Sequence, residues 1–88
     1  MSDTTASAPV IVYGTTWCAF CKMAKQYFDG LGVTYKDIDV EKDPAAAQHI
    51  IDKTHQAGVP VIEIGDEVIL GFDRPKIDAA LKSNHLVK

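Results

Sequence analysis

Four apolar residues in a row, Val10-Ile11-Val12-Tyr13, followed by Gly14, are the first ordered signal in this chain. A short β-branched run ended by glycine predicts a strand buried on both faces. The period then changes from continuous to helical. Phe20, Met23, Ala24, Tyr27, Phe28 and Leu31 recur at i, i+3, i+4, i+7, i+8 and i+11, with Gly30 and Gly32 at the end. That is one stripe of a helix starting close to Cys18, with Thr15 or Thr16 supplying a hydroxyl near its start. The stripe reads as core, with Phe20 alone turned towards a partner.

Val33 to Val40 predicts a second strand, polar enough to sit towards a sheet edge. Asp43-Pro44 reads as a cap and first-turn proline for a second helix. Ala47, Ile50, Ile51 and Thr54 form its apolar face, and Gly58 closes the segment. Val59-Pro60 opens a strand over 61–64, Gly65-Asp66 is a two-residue hairpin turn, and Glu67 to Leu70 returns. After Gly71, Asp73 caps a last helix with Pro75 in its first turn and Ile77, Ala80 and Leu81 facing inward. The order is β-α-β-α-β-β-α. A strand–helix–strand unit demands a parallel pair and a hairpin an antiparallel one, so a mixed four-stranded sheet with three helices is expected. Residues 9–84 form the domain, 1–8 a disordered tail and 85–88 a C-terminal tail.

Composition narrows the function. Eighty-eight residues allow one domain with a modest core. Net charge is −3 without a basic cluster, which argues against a nucleic-acid or anionic membrane surface. No apolar stretch approaches the ~20 residues of a membrane span. Met1 to Pro9 lack a basic region followed by an apolar one, so no secretory leader is expected. With two cysteines and no leader, a reducing, cytoplasmic setting is expected.

Both cysteines lie in Trp17-Cys18-Ala19-Phe20-Cys21, a C-x-x-C immediately after the first strand. Such a pair can close a disulfide, chelate a metal or exchange thiol for disulfide. A disulfide here closes a very short loop and is a poor staple. A structural zinc site wants four ligands. His49 and His55 are six residues apart, His85 is in the tail, and all three read as surface residues. A thiol at a strand–helix junction sits where unpaired N–H groups and the positive end of the helix dipole favour thiolate, the attacking species. Redox exchange is therefore the leading reading, with no metal site.

That element order, with C-x-x-C at the first strand–helix turn, resembles the thioredoxin fold in its small glutaredoxin form. Three landmarks carry the resemblance: Tyr13 five residues before Cys18, Val59-Pro60 before a hairpin, and Gly71-Phe72-Asp73 before the last helix. The resemblance implies a dithiol–disulfide oxidoreductase in which Cys18 attacks and Cys21 resolves. Residues three apart share a helix face, so Cys21 can reach a mixed disulfide on Cys18 while sitting deeper. A Cys18 pKa lowered from ~8.5 towards roughly 3.5–7.5 is expected at such a site, with Lys22 pointing into solvent. The resemblance also implies a cis Pro60 that places the Val59 backbone opposite Cys18. Trp17, Phe20 and Phe72 would give an apolar docking rim, and Gly71 and Asp73 complete the substrate-binding set.

Departures from the family bear on the electron source. Glutathione-dependent glutaredoxins usually have a lysine where Thr15 stands, an arginine or threonine pair where Ala57-Gly58 stands, and Gly-Gly where Gly71-Phe72 stands. Losing charged hydrogen-bond partners of ~1.5–3 kcal/mol each weakens glutathione binding by orders of magnitude unless something replaces them. Asp73 matches the family's acidic residue facing the glutathione amino group, and a helix cap explains it equally well. Gly71-Phe72 and the Trp17-Cys18 pair resemble the NrdH-type redoxins, which take electrons from thioredoxin reductase. The buried acid of thioredoxins is absent: Val12 occupies its place, which leaves Cys21 without that proton acceptor. The expectation is a monomer with no bound organic cofactor, reduced by glutathione or by a thioredoxin-reductase-type flavoenzyme, and acting on disulfide-containing proteins. The alternatives are a glutathione-dependent glutaredoxin or a glutathione-ligated [2Fe-2S] protein.

Overall fold

The structure, a computed structural model, describes residues 10–56, 58–84 and 86. The tails expected at 1–8 and 85–88, Leu86 apart, lie outside the described residues, as do Ala57 and His85. The chain runs β1 (Val10–Gly14), α1 (Ala19–Leu31), β2 (Lys36–Asp39), α2 (Pro44–Thr54), β3 (Val61–Ile64), β4 (Glu67–Leu70) and α3 (Arg74–Ser83). The strands form one mixed sheet in the order β2-β1-β3-β4. β1 and β2 are parallel, while β1–β3 and β3–β4 are antiparallel. This is the expected α/β, thioredoxin-type architecture, with the polar strand at an edge.

Alternation along the strands makes two cores, one on each sheet face. Val10, Val12, Ile62, Ile64 and Ile69 pack with Ala24 and Phe28 of α1 and with Ile77, Ala80 and Leu81 of α3. Tyr13 and Val61 face the other way and meet Ala46 and Ile50 of α2. The α1–α3 face is the larger and carries most of the burial. Leu86 joins it, its N–H donating to the Leu81 carbonyl at 2.9 Å. No helix among the described residues is long and apolar enough to cross a membrane.

Three expectations are corrected. The α1 stripe is narrower than its periodicity suggests: Cys21, Ala24 and Phe28 are buried, while Met23 and Leu31 are 45% and 43% exposed, and Phe20 faces outward as expected. The sheet meets only the middle of the stripe, and Cys21 stands in it where a hydrophobe would. Gly30 lies inside α1, which ends at Gly32 in a left-handed conformation. There Gly32 N–H donates to Asp29 O at 3.1 Å and Val33 N–H to Phe28 O at 3.0 Å. This Schellman arrangement draws Val33 into the helix end and the core, so β2 starts at Lys36 rather than Val33. On α2 the buried pair is Ala46 and Ile50, and Ile51 is exposed. The helix ends before Gly58, because His55 takes the left-handed position and Thr54 Oγ1 donates to Ile50 O at 2.6 Å.

Candidate active site

Antiparallel pairing sets Tyr13 of β1 opposite Val61 of β3, and Val61 opposite Leu70 of β4. Three chain segments therefore meet at one end of the sheet: the Thr15–Cys18 turn after β1, Val59-Pro60 before β3, and Gly71-Phe72-Asp73 after β4. The second and third are landmarks read from the sequence, and the first segment follows the remaining landmark, Tyr13, at the end of β1. The Val59–Pro60 peptide bond is cis. Gly71, at a φ of 74°, donates its N–H to the Pro60 carbonyl at 2.9 Å and ties the second segment to the third.

The cap of α1 is Cys18 itself, not Thr15 or Thr16. Cys18 has extended backbone angles, and its Sγ accepts the Cys21 N–H at 3.2 Å. A Thr15 O···H–N Cys18 turn of 3.4 Å brings the cysteine to that position. The first thiol thus occupies the place where a serine or aspartate oxygen usually accepts an orphan N–H. Cys18 is 6% exposed and Cys21 1%, so the second sulfur lies deeper, as its position three residues on requires. Both are free thiols. Burial, and after it a side-chain hydrogen bond between the Cys21 and Cys18 thiols, push the Cys21 thiol up to about 11 from 9.0, opposed by the Thr15 backbone and by Lys25.

Gly14 is fixed by space. A Cβ there would stand 2.5 Å from Cys21 Sγ and 3.0 Å from its Cβ. Gly14→Ala is expected to cost about 1–3 kcal/mol, the range for overpacking a tight interior. It should also slow closure of the Cys18–Cys21 disulfide by pushing Cys21 out of line. Urea unfolding with a thiol-oxidation time course checks both. Wild-type stability and closure together would remove Gly14 from the site.

Around the thiols, Trp17 is 70% exposed, and Phe20 in the first turn of α1 is exposed as well. Phe72 is only partly available, because it packs on the core with its ring edge-on to Tyr27 at 6.0 Å. Asp73 caps α3, accepting the Lys76 N–H at 3.4 Å. Lys22 is exposed, as expected.

Three clusters were not anticipated from the sequence. Lys25 Nζ and Asp37 Oδ2 pair at 3.0 Å across α1 and β2, near Cys21. The spacing of Cys21 and Lys25, four apart on one helix, was the available signal. Arg74 lies 4.2 Å over the Tyr27 ring, whose hydroxyl donates to Asp78. His49, read as a surface residue, is half-buried, with its Nε2 2.7 Å from Glu63 Oε2. Tyr13 donates to the other Glu63 oxygen at 3.0 Å. No group of three or more His, Cys, Asp or Glu is placed to hold a metal ion among the described residues.

Burial, the bond to Glu63 and nearby negative charge push the Tyr13 phenol up to about 12. Tyr13 and Cys21 give an alkaline signature. Each binds its proton more tightly folded than unfolded, so its contribution is full below the unfolded pKa and is lost as pH rises through the folded one. Stability of the reduced protein should fall from about pH 9 to 12, by at most ~2–3 kcal/mol per group. Urea midpoints against pH check this. Tyr13→Phe should remove the portion above pH 10, and a midpoint unchanged to pH 12 would contradict the burial of both groups.

Comparison with known proteins decides the family. The glutaredoxin family model matches residues 10–69, from the start of β1 to β4. This chain belongs to the glutaredoxin family. A glutaredoxin-like 8.6 kDa protein of the Clostridium pasteurianum rubredoxin operon is 31% identical over 71 residues, 81% of this chain and 95% of that one. Buckwheat glutaredoxin, solved as a complex with glutathione, superposes with a TM-score of 0.74 at 26% identity, over 92% of this chain and 83% of that one. NrdH-redoxin from Escherichia coli, described as glutaredoxin-like with a thioredoxin-like activity profile, gives a TM-score of 0.74 over 81% and 92% of the two chains. At 24% identity that last likeness speaks for the fold. As a glutaredoxin-family redox protein, the chain carries its cysteine pair at the family's strand–helix turn.

Proposed function

We propose that this protein is a cytoplasmic, monomeric dithiol–disulfide oxidoreductase that reduces disulfides of proteins or small molecules. Cys18 attacks one sulfur of the substrate and forms a mixed disulfide. Cys21 then attacks Cys18 Sγ, the second half of the substrate leaves as a thiol, and the protein is left with a Cys18–Cys21 disulfide. The reading rests above all on Cys18 Sγ capping α1 with Cys21 buried one turn behind it. Val59 and Pro60 align an extended substrate segment, Gly71 and Asp73 border it, and Trp17, Phe20 and Phe72 form the apolar docking rim. No resident organic cofactor is needed, because electrons enter and leave through the same two sulfurs.

For the electron donor, a thioredoxin-reductase-type flavoenzyme fits better than glutathione. Glutathione presents two carboxylates, and two of the nearby cations are engaged elsewhere, Lys25 with Asp37 and Arg74 over Tyr27, which leaves Lys22 as the exposed one beside the thiols. Thr15, where the family's lysine usually stands, is buried. The glutathione reading draws its support from the likeness to buckwheat glutaredoxin, whose structure contains that tripeptide. NADPH consumption with a generic disulfide substrate separates the two. The proposal expects turnover with thioredoxin reductase alone and little with glutathione plus glutathione reductase. Turnover only in the glutathione arm would assign the donor to glutathione. Silence in both, with a brown dimeric preparation, would favour the [2Fe-2S] reading instead.

A further inference from the structure

Release of product requires Cys21 to give up a proton, yet Val12 fills the β1 position from which an acid would serve it, and burial keeps the thiol protonated at neutral pH. Charge reaches Cys21 from another direction. Lys25 stands one turn further along the same face of α1, and its Nζ is 3.0 Å from Asp37 Oδ2 on β2. Its ammonium favours the Cys21 thiolate, and Cys21 in turn favours the ammonium. Lys25 and Asp37 line a cavity of about 40 Å³ together with Gly14, Thr15, Thr16 and Asp39.

Gly14, which lines that cavity, lies directly against Cys21. A Cβ on Gly14 would stand 2.5 Å from the Cys21 Sγ. Thr15 is 8% exposed, and its Oγ1 has no hydrogen-bonding partner among the described residues. A buried hydroxyl left unpaired costs about 1–3 kcal/mol. A cavity of this size, lined by a hydroxyl, an ammonium and carboxylates, has the room and the two to four polar partners that a bound water needs. Tyr35 and Asp39 are the other titratable groups around the pair, and Cys18 is the other one at Cys21.

We propose that a water in this cavity, held by Thr15 Oγ1, carries the Cys21 proton to Asp37 during release, with Lys25 as the positioning residue. The inference rests on the dithiol reading above. In the step, the Cys21 S–H bond breaks and its proton passes through the water to Asp37 and on to solvent. The Cys21–Cys18 bond forms as the bond between Cys18 and the substrate sulfur breaks. The departing thiolate takes a proton from solvent. Over both steps two thiols are oxidised and the substrate disulfide is reduced by two electrons.

Dithiobis-nitrobenzoate reports the two steps separately, since attack by Cys18 frees one coloured thiol and closure by Cys21 frees the second. In stopped flow, Asp37→Asn should leave the first phase unchanged. It should slow the second by about 10- to 100-fold at neutral pH, the low end of general-base contributions. The deficit should shrink as rising pH ionises Cys21 without help. Lys25→Met should do the same and Lys25→Arg should restore the rate. Lys25→Arg also serves as the folded control should Asp37→Asn or Lys25→Met lose the fold. Equal second phases in wild type and Asp37→Asn would overturn the relay. So would a deficit that does not change with pH, which is the mark of a structural role. A wild-type trace without a second phase, or one surviving Cys21→Ser, would instead overturn the dithiol reading before any relay variant is compared.

Discussion

Cys18→Ser is expected to fold as well as the parent protein and to reduce no disulfide. Serine is among the best residues at a helix N-cap, and its Oγ can accept the Cys21 N–H that Cys18 Sγ accepts at 3.2 Å. The change should therefore move stability by less than about 1 kcal/mol. Chemistry fails for a different reason. A hydroxyl is a far weaker nucleophile than a thiol, and an oxygen cannot form the mixed disulfide. Thermal unfolding by circular dichroism, beside a coupled reduction assay, reads both quantities on one sample. Residual turnover in Cys18→Ser would mean that Cys21 attacks on its own. A collapse in stability would mean that the cap geometry is wrong.

Phe28→Ala should be the most damaging single truncation in the core. Phe28 is fully buried on α1 and meets Tyr27 and Tyr35 with ring centroids 6.2 and 5.8 Å away. Aromatic-to-alanine changes at such sites cost about 3–5 kcal/mol. In a domain of this size that lowers the Tm by about 12 °C or more. Because folded domains hold only ~5–15 kcal/mol in total, much of the protein would be unfolded at physiological temperature. Met23→Ala and Leu31→Ala make the comparison sharp. They belong to the same helical stripe but sit 45% and 43% exposed, and each should cost under about 1 kcal/mol. Equal losses across the three variants would mean that α1 presents a different face to the sheet.

That comparison also marks how far the fold was legible in the chain. The period of the apolar residues identified α1 correctly, but period alone cannot say how wide a stripe the sheet covers. That width depends on how α1 crosses β1 and on what α3 occupies beside it. Strand β2 was overextended at its start, because Val33 is apolar in either role, and its N–H goes to Phe28 O rather than to a strand. The hairpin and α3 are legible almost to the residue, since Gly65-Asp66 and Asp73-Arg74-Pro75 carry their turn and cap chemistry in adjacent residues.

The site divides in the same way. Cys18 and Cys21 were visible from spacing and position, and Pro60 and Asp73 from the landmarks around them. Thr15 as a buried hydroxyl, and the ion pair of Lys25 with Asp37, were not. A lysine on a helix and an aspartate on an edge strand look like solvated surface until the parallel β1–β2 pairing lays one beside the other. An exposed pair of that kind adds little stability, so its interest is its position near Cys21.

The central claim, that Cys18 attacks and Cys21 resolves, is tested most directly by trapping the first intermediate. Reduced Cys21→Ser would be mixed with a disulfide substrate and its intact mass and peptide masses measured. The account predicts one adduct of half the substrate, held by a reducible bond at Cys18 and stable because no second thiol releases it. The partner variant Cys18→Ser should carry no adduct, since Cys21 is fully buried and holds its proton. An adduct on Cys21 in Cys18→Ser, with Cys18 unmodified in Cys21→Ser, would reverse the roles of the two sulfurs and contradict the account.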